Sequence, residues 1–173
     1  DFYLAACERL EAVGIAQYEI SNFARARSES RHNLKYWTRQ PYLGFGIDAH
    51  SMLLSASPNA EALRFSTSDV LEKYVSGSPL HKTVVSQAAA LEETFFLGLR
   101  LNRGIDLREI SAAFGEAALQ NLRPAIAGLI ADELLRQTGN FIRLTPRGRL
   151  LSNEVFQAFL GNDPVSAHLT TGV

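Results

Sequence analysis

An α/β piece followed by a mostly helical, winged-helix-like domain is the fold class this sequence predicts. Three observations predict it. A helical apolar period ends at Gly14 and gives way to a β-prone run, which is the αβ half of an α/β unit. Ser76-Gly77-Ser78-Pro79 breaks the pattern in mid-chain. Beyond that break, apolar stripes at helical spacing precede a hairpin centred on Thr138-Gly139-Asn140. The expected organisation is therefore 1–76 for the α/β piece, 77–160 for the helical domain and 161–173 for a polar tail without fixed structure.

The elements follow in order. Tyr3, Ala6, Leu10 and Val13 recur at helical spacing, and Gly14 stops that helix. Gln17 to Ile20 is a short strand with Tyr18 and Ile20 on one face. Residues 24–31 are polar and lack an apolar period, so they form a loop at the strand's end. Open α/β sheets and barrels carry their chemistry on such loops. This loop delivers His32-Asn33-Leu34-Lys35-Tyr36-Trp37, which includes the only tryptophan. Pro41 bars a regular helix. Tyr42 to Leu54 then reads as a strand interrupted by Gly44 and Gly46. Glycine weakens a strand unless something must approach its backbone, and here a ligand and a packed helix stand equally open. The pair is not a dinucleotide fingerprint, since the third glycine is missing and a strand follows. Ser57-Pro58-Asn59 is a turn, and Leu63-Arg64-Phe65 a returning strand. Asp69, with Glu72 three residues on, opens a short helix through Tyr74.

In the second half, Ala88 to Leu101 places Leu91, Phe95, Gly98 and Leu99 on one stripe, and Gly104 ends it. Asp106 and Glu109 form a capping pair ahead of Ile110 and Phe114. Leu119, Leu122, Ile126 and Leu129 make a third stripe. After the hairpin, Thr145 caps a last helix with Pro146 at its first position, burying Leu151, Val155 and Phe159.

Composition narrows the function. A chain of 173 residues, 46% hydrophobic, can build one good core or two small ones. Its 17 basic and 18 acidic residues argue against a grip on many phosphates, and Arg147 and Arg149 are a thin basic footprint for the last helix. No nucleic acid is expected as a partner. No apolar run reaches 18 residues and no signal peptide is present, so neither a transmembrane segment nor export is expected, and the expected location is cytoplasmic. A single cysteine, Cys7, excludes an internal disulfide and an all-thiolate metal site. It lies among Ala5, Ala6 and Leu10 and reads as a small buried side chain. The chain begins inside a helical pattern without an initiator methionine, as a piece of something longer would.

The chemistry concentrates at residues 32–37. In a helix, His32 and Tyr36 share a face, as do Asn33 and Trp37. Such a surface suits a planar aromatic ligand. Imidazole ligates heme iron axially, and Tyr36 and Trp37 offer flat faces to a macrocycle. Arg25, Arg27, Arg31 and Lys35 are cations available to propionates. The competing reading is packing, with the aromatics closing the end of the α/β piece and His32 bonded to a carbonyl. Asp48 and His50 share a strand face but lack a third metal ligand. His81 and His168 fall in expected loops, and Glu92-Glu93 diverge on their helix.

Several blocks, in order, resemble one family. Tyr18-Glu19-Ile20-Ser21-Asn22-Phe23-Ala24, then Glu29 through Trp37, then Tyr42 through Ser51 resemble the radical SAM family heme chaperone, itself similar to the oxygen-independent coproporphyrinogen III oxidase. Leu91 through Leu101 and Leu144 through Asn153 look like that family's C-terminal domain. The resemblance implies the C-terminal part of a partial radical-SAM (β/α) barrel. It implies heme binding through the His-Asn-x-x-Tyr-Trp motif: His32, Asn33, Tyr36 and Trp37, with His32 at the heme iron. It implies heme-accepting proteins, respiratory ones among them, as partners. It also implies a 4Fe-4S cluster and S-adenosyl-L-methionine in the full-length parent, with Ala49 near the S-adenosyl-L-methionine contact. The family's Cys-x-x-x-Cys-x-x-Cys motif is absent from this chain, so the cluster chemistry is not expected of it alone. The alternative the resemblance leaves open is the coproporphyrinogen III oxidase itself, an enzyme of porphyrin biosynthesis.

Overall fold

The computed structural model describes residues 2–54 and 62–161. The expected turn at Ser57-Pro58-Asn59, the tail from 162 onward and His168 lie outside the described residues.

The chain opens with α1 (Phe2–Ala12), and Gly14, at φ +75°, turns it into β1 (Ala16–Gln17). The helix, glycine and strand come in the expected order. The strand's partner is β2 (Phe23–Ala24), antiparallel to it, and every strand pairing among the described residues is antiparallel. Glu19 explains the local reversal. Its Oε1 accepts from the Ser21 N–H at 2.8 Å and the Asn22 side-chain amide at 2.6 Å, which folds the strand back within five residues. Helix α1 buries no residue fully, and Cys7 is half-buried rather than enclosed.

After α2 (Arg31–Trp37) comes a three-stranded antiparallel sheet of β3 (His50–Leu54), β4 (Ala62–Ser66) and β5 (His81–Val85), in the order β3-β4-β5. The returning strand is β4. Between β4 and β5 lies α3 (Leu71–Val75), which Asp69 does not cap: Val70 holds the cap position without a side-chain hydrogen bond. Strand β5 follows the Ser76–Pro79 break and pairs with β4 along five residues, so the sheet takes strands from both sides of that break.

The rest is α4 (Gln87–Gly98), β6 (Ile105–Asp106), α5 (Leu107–Phe114), α6 (Glu116–Ala131), β7 (Leu135–Thr138), β8 (Phe141–Leu144), α7 (Pro146–Leu150) and α8 (Ser152–Gln157). Its small sheet has the order β6-β8-β7. Helix, strand, two helices and a hairpin in that order make a winged helix. The hairpin turns on Gly139-Asn140, with Gly139 at φ +58°. Caps fall where the sequence puts them: Asp106 accepts from the Arg108 N–H and Thr145 from the Gly148 N–H, with Pro146 in the first turn. The expected single last helix is two, because Leu151 leaves helical geometry at φ −108°, ψ 30°. A Cβ on Gly148 would collide with the carbonyl oxygen of Leu134, so only glycine lets α7 lie this close to the chain entering β7.

The main core lies in this half. Phe95, Leu99, Ile142 and Val155 are wholly buried, and Phe95 stacks on Phe159 with centroids 4.7 Å apart. Each such side chain contributes about 1.5–3 kcal/mol by leaving water. A smaller cluster of Met52, Ala62, Val85 and Ala90 seats the β3-β4-β5 sheet against α4.

Candidate functional site

Helix α2 begins because Ser30 caps it, its Oγ accepting from the Asn33 N–H at 3.2 Å. Helical spacing then brings His32 and Tyr36 together. Tyr36 Oη lies 3.1 Å from His32 Nε2, and the rings meet edge to face with centroids 5.0 Å apart. Tyr36 also meets Tyr42 edge to face at 4.6 Å. The imidazole of His32 is exposed, so it is not spent on packing. Trp37, the next residue, is half-buried, with the Arg100 guanidinium 4.3 Å over its ring. Arg100 is held in turn by the fully buried Glu19 at 3.3 Å.

An open cleft of about 1000 Å³ lies between α2, the β3-β4-β5 sheet and α4. Tyr36, Trp37, Tyr42, Met52, Phe65 and Val85 give it flat, apolar walls. A cleft of this size lies at the upper end of small-molecule sites. His32 and Asn33 do not line it. His32 stands outside its rim, joined to it through Tyr36, and Asn33 is half-buried. Trp37 also borders a second cavity of about 360 Å³ toward Gly98, Ile105 and Phe114.

The cations in the cleft are not the ones the sequence suggested. Arg25, Arg27, Arg31 and Lys35 are exposed and line neither cavity. Arg39 and Arg64 line the cleft instead, with Glu93 between them. Glu93 Oε2 accepts from Arg39 Nε at 3.2 Å, and its Oε1 pairs with Arg64 Nη2 at 2.8 Å. Burial pushes the Arg39 pKa down from the usual guanidinium value, against the opposing pull of Glu93. Burial likewise raises the Tyr42 phenol. Sequence reasoning missed this group. Arg39 and Glu93 are 54 positions apart, and only the adjacency of Glu92 and Glu93 marked either of them.

The glycine-bearing stretch is a loop, not a strand. Tyr42 pairs with Met52 as an isolated antiparallel bridge, and regular strand begins only at His50. Asp48 sits at φ +51° and Gly46 at φ +113°, which no strand tolerates. Gly44 is required by neither a ligand nor a helix: a Cβ there would strike the carbonyl of His50. Side chains from later in the chain clip this loop. Thr67 Oγ1 accepts from the Ala49 N–H at 2.9 Å, and Ser51 Oγ from the Gly44 N–H at 3.0 Å. The Ala49 carbonyl accepts from the Thr67 N–H at 3.1 Å, so both backbone groups of Ala49 are engaged within the chain. Asp48 and His50 do come together, at 3.6 Å, and both are exposed. His81 lies on β5, not in a loop, and lines the cleft with His50.

The aromatic walls and the accessible Arg64 guanidinium of this cleft suit a flat ligand that carries an acid group. A cluster does not fit this chain, because Cys7 is one thiolate where the cluster motif uses three. Among the described residues, no group of three or more His, Cys, Asp or Glu side chains converges as a metal site. No described helix is long and apolar enough to cross a membrane.

Residues 85–151 match the HemN C-terminal domain family. The chain is 37% identical to "Heme chaperone HemW" of Bacillus subtilis, over 93% of this chain and 42% of that protein. It is 30% identical to the protein of the same name from Lactococcus lactis, over 94% of this chain and 42% of that one. The match to the Mycobacterium tuberculosis protein is 34%, over 88% and 37%. The chain thus spans less than half the length of these relatives. Among solved structures it is similar to "Coproporphyrinogen III oxidase (HemN) from Escherichia coli is a Radical SAM enzyme." The TM-score is 0.66 and the identity 17%, covering 90% of this chain and 39% of that one, which is a likeness of fold.

Proposed function

From its similarity to curated heme chaperones over most of its length, we propose that this chain binds heme and takes part in passing it to acceptor proteins, respiratory heme proteins among them. The observation that carries this reading is an exposed imidazole, His32, set beside an aromatic-walled cleft. In this reading His32 contacts the iron. Tyr36 and Trp37 supply the flat seat, and Asn33 supports it from the same helix. Imidazole is a neutral nitrogen ligand that iron accepts axially. Exposure suits a carrier, because a ligand that must leave again cannot be locked in a closed core. The Tyr36 hydroxyl at His32 Nε2 holds the ring's orientation before heme arrives.

A 4Fe-4S cluster and S-adenosyl-L-methionine belong to this proposal only as cofactors of the full-length family protein, with Ala49 on the S-adenosyl-L-methionine side. A cytoplasmic location belongs to it as well. The test is a heme titration followed by the Soret band. His32→Ala should weaken binding and shift the band, and Tyr36→Phe should leave iron ligation in place with a smaller loss. A titration of His32→Ala that superimposes on the wild type would remove His32 from the iron.

A further inference from the structure

Among the described residues, two buried polar atoms on the cleft wall lack a hydrogen-bond partner, Trp37 Nε1 and Arg39 Nη2, and the second is a cation's. Arg39 is 91% buried at its side chain, and its Nη2 has nothing to donate to. Its Nε is taken by Glu93, and its Nη1 reaches Thr94 Oγ1 at 3.5 Å. Arg64, about one-third exposed, shares the same carboxylate from the other side. Two guanidinium groups therefore divide the Glu93 carboxylate, Arg39 from within the wall and Arg64 from its surface. Glu92, also on the wall, directs its Oε1 to the Gly161 N–H at 2.7 Å. An incoming anion would oppose the Arg64 repulsion on Arg39, one of the causes that lower its pKa beside the burial that comes first. Phe65, Tyr42 and Met52 flank the cations, so a ligand that satisfies the whole cleft needs a flat apolar body and an acid group.

We propose that Arg39 and Arg64, braced by Glu93, form a carboxylate subsite that takes a propionate side chain of the tetrapyrrole. This rests on the heme reading and adds to it. Arg64 makes the contact, since its side chain is the accessible one, and planar guanidinium matches a carboxylate in two parallel hydrogen bonds. Arg39 supplies the charge behind it.

The test compares three probes on the intact chain: heme, metal-free protoporphyrin IX and its dimethyl ester. The free acid should bind at least about tenfold tighter than the diester, the scale of a hydrogen bond to a charged group. Arg64→Gln should lower binding of the acid to the level of the ester and leave the ester unchanged, with Arg64→Lys restoring part of the loss. His32→Ala should weaken heme without changing the acid-to-ester ratio of the metal-free porphyrin. Equal binding of acid and diester would overturn the subsite and leave the heme reading standing. Failure of all three porphyrins to bind would remove the heme reading, and the subsite with it. The ligand comparison needs no mutant, so a misfolded variant cannot hide the answer.

Discussion

Glu93→Gln removes one charge from the cleft wall and leaves two guanidinium groups without their shared partner. The side chains of Glu93 and Arg39 are both 9% exposed, so neither can turn to water where it stands. Removing one member of a buried pair costs about 3–5 kcal/mol, because the survivor's charge stays desolvated. The Arg64 arm is different. At 34% exposure it can swing outward, and its share is under about 1 kcal/mol. The glutamine oxygen still accepts one hydrogen bond, which offsets about 1 kcal/mol. The expected loss is therefore roughly 3 kcal/mol, out of a total stability of about 5–15 kcal/mol. Urea unfolding reads this as a midpoint lowered by roughly 1–2 M. Adding Arg39→Met should return much of the loss, since the orphaned charge goes with it. A loss below about 1 kcal/mol for Glu93→Gln, or losses that simply add in the double variant, would refute the view that Glu93 holds a buried charge.

Two further outcomes are expected. Gly148→Ala places a methyl group against a backbone carbonyl, which cannot move aside like a side chain, so it should destabilise by about 2 kcal/mol or more in urea or thermal unfolding. A wild-type midpoint would show that α7 can shift freely. The Arg108 side chain first, and its backbone N–H second, hold the Asp106 carboxyl below its usual range. A depressed carboxyl stabilises fully above the ordinary value, about 4, and its contribution is lost as pH falls through the lowered one. The stability gap between wild type and Asp106→Asn should be constant near neutrality and close on acidification below about pH 4, and a gap that widened there would contradict the assignment.

Periodic signals carried the sequence reading well. The stripes through Phe95, Ile110 and Leu119 became buried helix faces, and Asp106 and Thr145 cap where their position implies. The approach of His32 to Tyr36 followed from a spacing of four in a helix. What failed was non-local or depended on side chains reaching backbone. Alternating apolar residues from Tyr42 to Leu54 imitate a strand, while Ser51 within the run and Thr67 beyond it hold a loop there. Two-residue β6 is too short for any period to reveal, and it exists because Ile142 pairs with Ile105. The cleft's charged group escaped for the same reason: Arg39 comes from a turn after α2, Arg64 from β4 and Glu93 from α4, and only the folded chain brings them together.

Gln17 has bearing on the order in which this molecule can be made. Its side chain donates to Tyr3 and to the Ile20 carbonyl, its own carbonyl accepts from Asn102, and its Oε1 accepts from Arg149. The first partners leave the ribosome beside it, while the last follows 132 residues later. At about 5–20 residues per second, this helix and strand wait roughly 7–26 seconds before the contact with Arg149 can form. Before then Arg100 and Asn102 already hold this segment, so the contact with Arg149, just beyond the wing, is the last of these bonds to form.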